Sequence, residues 1–174
     1  MTIPFVTSGQ LGVDLSAVYS PESSLYPYVS DNQQFKLGQQ VTAADNSVWV
    51  YVLFGVGGVT GLGYAVVFDE AFGAVMMSNS VGGLGDKIGI APAVAASGDY
   101  GWVQVYGTCD DIRVSASCAA NVPLASTVTA GELDDAVGTG TKNITGIILT
   151  TARAASAGNA PGSLNYPIIG TTNA

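Results

Sequence analysis

Three acidic pairs and two thiols are the side chains most able to do chemistry in this 174-residue chain. Asp69-Glu70, Asp110-Asp111 and Asp134-Asp135, the last with Glu132 close by, set carboxylates side by side. Adjacent carboxylates can hydrolyse glycosides or gather a calcium ion. Each pair, however, falls in a stretch that reads as a turn, where acids cap backbone amides or stay solvated. None has the D-x-D-x-D-G spacing of a calcium loop. The expectation is solvated turns, with no metal and no cofactor.

Nucleophilic chemistry has still less support. Histidine is absent, which removes the commonest general base and the commonest metal ligand together. No G-x-S-x-G surrounds a serine, and Cys109 and Cys118 have no histidine to draw off a proton. Two thiols alone do not complete a zinc site. They flank one predicted strand at an odd offset, so free thiols on opposite faces are expected rather than a disulfide. "NIT" at Asn143 matches a glycosylation sequon, but short motifs recur by chance. Residues 1–9, "MTIPFVTSG", lack the basic and apolar regions of an export signal, so synthesis in a reducing cytoplasm is expected. An enzyme is not the expectation.

The composition points toward contact rather than catalysis. Charged residues make up 10% of the chain and hydrophobic ones 48%, where about 25% charged is usual for a soluble domain. A surface built from Gly, Ser, Thr, Asn and Ala needs little desolvation and suits being covered. The net charge is −8, and the five cations, Lys36, Lys87, Arg113, Lys142 and Arg153, are scattered singly. Nucleic acid would need a clustered cationic face, so it is not an expected partner.

The elements that would carry these residues read as β. Strands are predicted at 47–54, 63–69, 73–78, 86–96, 100–108, 112–119, 122–127 and 143–152, separated by turn chemistry such as "AADNS", "DEAFG" and "GGLGD". Residues 46–68 carry no charge and have the length of a membrane helix. Five glycines and a β-branched, aromatic composition instead make them two strands around a glycine-rich turn, so no membrane is expected. The spacing predicts an all-β body, a compact β-sandwich or β-barrel of about eight strands, over 38–153. Residues 1–37 read as an extended arm with recurring prolines, lying either on its own body or on a neighbouring subunit. Residues 154–174 read as an extended C-terminal tail.

Within the body, "GDYGWVQVYG" alternates Trp102, Gln104 and Tyr106 with Val103 and Val105, a strand with apolar residues on both faces. This block, with "LGQQVTAADNSVWVYV", "GYAVVFDEAFGAVMMS" and "ITGIILTTA" around it, resembles the capsid decoration (cement) proteins encoded among the head genes of tailed bacteriophages. The resemblance covers about residues 37–152. It implies a trimeric all-β protein without cofactor, bound to the major capsid protein on the outer surface of the virion after synthesis in the host cytoplasm. Another virion component, a tail-tube or head-fibre base protein, is the nearest alternative. A carbohydrate-binding β-sandwich with Trp49 and Trp102 as a stacking platform is a third. Expected contact residues are Phe5, Leu15, Tyr19, Leu25, Tyr26 and Tyr28 in the arm, and Leu164, Tyr166, Ile168 and Ile169 in the tail. Trp102 and Tyr106 join them from the strand.

Overall fold

The computed structural model describes residues 13–21 and 33–173. Among these there is no helix, and ten strands form one continuous sheet, confirming the all-β class. In chain order they are β1 (Gln40–Thr42), β2 (Val48–Phe54), β3 (Ala65–Phe68), β4 (Gly73–Met76), β5 (Lys87–Ile90), β6 (Tyr100–Val114), β7 (Leu124–Ser126), β8 (Leu133–Asp134), β9 (Lys142–Leu149) and β10 (Gly158–Thr172). Among the described residues no helix is long and apolar enough to cross a membrane.

The pairings close on themselves twice. One circuit runs β2–β4–β3–β5–β6 and returns to β2. The other runs β6–β8–β7–β9–β10 and returns to β6. Each has a weak link, Ile90 opposite Gln104 in the first and Val114 opposite Leu133 in the second, so neither is a regular barrel.

Strand β6 can serve both circuits because it changes partner midway. Residues 100–106 pair with β2, and residues 106–114 pair with β10. Gly107 sits at the handover with φ of 95°, and a side chain there would press on the Ser47 backbone. Gln104, buried at the same point, donates from Nε2 to the carbonyls of Tyr106 (3.1 Å) and Thr108 (2.8 Å). The two bonds satisfy the buried Gln104 amide nitrogen, which would otherwise be costly to bury.

Alternation on β2 and β6 separates two cores. Val50, Val52, Val103 and Val105 face the interior of the first circuit with Val66 and Phe68. Trp49, Tyr51, Tyr100 and Trp102 face the other way into an aromatic layer with Leu15 and Val41. Phe35 closes this layer, its ring 5.3 Å from Tyr51 and 5.1 Å from Trp102. Tyr19 and Tyr100 exchange backbone hydrogen bonds of 2.8 Å each. The described part of the arm therefore lies on its own body. A third core fills the second circuit around Ile112, Leu124, Leu133, Ile147 and Leu164.

Several expectations are corrected. Residues 158–172 are not a tail but a 15-residue strand within the sheet, between β6 and β9. Asp110-Asp111 lies within β6 rather than in a turn. β5 ends at Ile90 because Pro92 cannot extend a ladder, and residues 91–97 continue irregularly apart from a bridge between Val59 and Ala95. The predicted strand at 112–119 is the end of β6 followed by a turn. Cys109 and Cys118 are free, as expected, but both are buried in the same core rather than on opposite faces.

Candidate functional site

The expected contact residues divide sharply by exposure. Phe5, Leu25, Tyr26 and Tyr28 lie outside the described residues. Leu15, Trp102, Leu164 and Ile169 are almost completely buried in the chain's own cores, so they cannot meet a partner. Tyr19 is half-buried. Tyr106, Tyr166 and Ile168 remain, with 38%, 52% and 40% of their surface exposed. Trp49 is buried as well, so a glycan platform would lack both of its tryptophans.

Tyr106 and Tyr166 stack with ring centroids 5.2 Å apart. β6 places the first ring and β10 the second, through the pairing of Tyr106 with Asn165. Beyond Asn165, β10 slips in register against β9 between Leu164 and Ile168, and Tyr166 takes φ of 46° at that irregularity. A bulky residue rarely adopts this region. The next residue, Pro167, is buried.

Beside this rim a cavity of about 220 Å³ opens into the first circuit. Its deep wall is Val50, Phe68 and Val105, residues of the circuit's own core. Its edge carries Gln40, Phe72, Lys87 and Tyr166. Phe72 comes from the β3–β4 turn, which Asp69 fixes by accepting from the Ala71 amide (3.0 Å) and the Gly73 amide (2.9 Å). Phe72 also has positive φ, 62°, and its ring lies against Gly38, where any side chain would collide with it. Both bulky residues with left-handed backbone among the described ones therefore line this cavity.

Lys87 reaches the edge by strand alternation. It shares a face of β5 with Gly89, whose Cα looks onto Val103 inside the circuit. Its Nζ stands 5.8 Å from the centre of the Phe72 ring. Phe72 and Lys87 were not foreseen from the sequence. The alternation in "DKIGI" could have placed Lys87, but a left-handed phenylalanine has no sequence signature.

The other cations are mostly committed. Arg113 pairs with Glu132 at 3.0 Å, and Glu132 also accepts from Ser115 Oγ at 2.8 Å. Buried Lys142 donates from Nζ to the carbonyls of Val81 and Gly82. Arg153 donates to the carbonyls of Ser156 and Asn159. Lys36 and Lys87 are left exposed.

Among the described residues, Cys118, Asp134 and Asp135 come nearest to a metal-ligand cluster, with donor atoms within 4.8 Å of one another. Burial, then the charge of Asp135, pushes the Cys118 thiol up to about 11, and burial with the Asp135 hydrogen bond raises Asp134. The metal-free thiol is thus protonated at neutral pH, and a metal binding here would have to displace that proton. Burial likewise pushes Cys109 up to about 12. Neither thiol is poised as a nucleophile.

What these residues define is an all-β surface with an aromatic rim and an apolar cavity. No protein-family model matches the chain, and no curated protein sequence matches it.

Proposed function

We propose that this chain is a virion structural protein, a capsid decoration protein that binds the major capsid protein on the outside of the head and stabilises the shell. The observation that carries the reading is the half-exposed pair of Tyr106 and Tyr166 beside Ile168, on a surface with little charge. Aromatic side chains stacked over a pocket favour a protein partner. The order of sequence blocks that resembles decoration proteins supplies the kind of partner. The protein acts by occupancy rather than turnover: many copies, each bound weakly, favour the assembled shell by mass action. A symmetric homotrimer is the proposed form.

The test is re-addition of the purified protein to capsids of the encoding phage that have been stripped of it. Saturable binding, with raised heat resistance of the shell, is expected. Absence of binding would end this reading. Light scattering showing only monomer at micromolar concentration would end the trimer.

A further inference from the structure

The cavity at the open end of the first circuit has features that an incidental surface dimple would lack. It reaches an apolar core, since Val50, Phe68 and Val105 form its depth. The opposite end is plugged where Val59 and Ala95 bridge and join that core. Two of its aromatic edges are held in a backbone conformation that costs energy for a bulky side chain. In a chain of net charge −8, it also has a lysine at its mouth that takes part in no ion pair within 4.0 Å among the described residues.

Size and charge together select a ligand class. An apolar cavity of about 150 Å³ suffices for benzene. A volume of about 220 Å³ leaves room for a ring with a short chain, or for a short alkyl chain. Lys87 stands over the edge of Phe72, where a carboxylate on such a molecule would meet it while the apolar body lies below. A cationic ligand would gain nothing from this arrangement. A larger polar ligand would have to desolvate against Phe68, Val50 and Val105 without partners.

We propose that the mouth formed by Phe72, Lys87 and Tyr166 binds a small apolar molecule bearing one carboxylate, such as an arylalkanoic or medium-chain fatty acid. The mouth shares Tyr166 and Ile168 with the rim proposed to meet the shell, but ligand binding is read on the isolated chain, so the two proposals fail separately.

The experiment is a titration of the purified protein with 4-phenylbutyrate and with its neutral counterpart 4-phenylbutan-1-ol, followed by calorimetry and ligand-observed NMR. The acid should bind saturably and more tightly than the alcohol. Lys87→Met should weaken the acid roughly tenfold, the size of one charge-assisted hydrogen bond at a half-open site, and leave the alcohol unchanged. Tyr166→Asn, which tolerates the left-handed backbone, should weaken both. Circular dichroism checks that each variant is folded. The proposal is overturned if the wild-type protein shows no saturable binding, if the alcohol binds as well as the acid, or if Lys87→Met binds the acid normally.

Discussion

Tyr166 stacks on Tyr106 at 5.2 Å while holding a φ of 46°, so the ring that is most exposed in this pair is presented by the least comfortable backbone. For a residue other than glycine or asparagine that conformation costs about 1–2 kcal/mol. The stacking returns about 0.5–1.5 kcal/mol. The two nearly cancel, so the subunit's own stability gives little reason for a tyrosine here. The proposed contact beyond the subunit would give one.

Tyr166→Asn should therefore separate stability from association. Asn accepts the left-handed backbone and removes the ring, so the urea midpoint of the isolated protein should shift little. Binding to stripped capsids should weaken at least tenfold. A variant that unfolds early yet binds normally would assign Tyr166 to internal packing instead.

The C-terminal strand gives a second expectation. β10 pairs with both β6 and β9, and it buries Ala160, Leu164 and Ile169. Truncation after Ser156 would expose an edge of both neighbours and open the second core. Loss of each large buried side chain alone costs about 2–5 kcal/mol, against a typical total of about 5–15 kcal/mol. The truncated chain should fail to fold. In the intact protein, hydrogen exchange should show slow amides at the paired positions of 158–172, whereas a loose tail would exchange within seconds.

That strand also shows where the sequence was legible and where it was not. The alternation of Trp102 with Val103 and Val105 announced two faces, and the structure sends them to different cores. The turn at Asp69 was equally plain, because a carboxylate that can accept two backbone amides is turn chemistry. β10 was hidden by Pro161 and Pro167, which normally argue against an inner strand. Each falls where the ladder slips, Pro161 between Ala160 and Gly162 and Pro167 between Leu164 and Ile168, so neither breaks a regular register. The same slip explains Asp110-Asp111. These two residues face Pro161 at the bulge, where the register shifts although β6 continues through it. The cavity could not be read from the sequence, because it depends on side chains from six separate stretches and two rare backbone conformations.

The thiols predict a pH effect of definite sign. Burial raises Cys109 from 9.0 to about 12, so the unfolded chain loses this proton first as pH rises. Stability from this group is intact below about pH 9 and declines from there toward pH 12, by about 1.4 kcal/mol per pH unit. Tyr51, raised from 10.0 to about 12 mainly by burial, adds a decline of the same sign at higher pH. Urea unfolding at pH 7 and about 10.5 should show the wild-type protein losing roughly 2 kcal/mol more than Cys109→Ala across that interval. Equal losses would mean that Cys109 ionises freely in the folded state. At pH 8, a thiol reagent should label neither cysteine until urea is added.

Attachment to the shell should depend weakly on salt. Arg113, Lys142 and Arg153 are held within the subunit, leaving Lys36 and Lys87 as the exposed cations. Exposed ion pairs contribute about 0–1 kcal/mol each and are screened by added salt. Covering about 800 Å² of a partly apolar surface removes area from water at about 25 cal/mol per Å², before the costs of association. The apolar term is therefore the larger, and salt leaves it nearly untouched. A net charge of −8 would mildly repel an acidic shell, so added salt should leave binding unchanged or slightly tighter. Re-addition to stripped capsids across a salt series measures this directly. A collapse of binding between low and moderate salt would mean that a charged interface holds the protein, and that the rim of Tyr106, Tyr166 and Ile168 faces solvent in the virion.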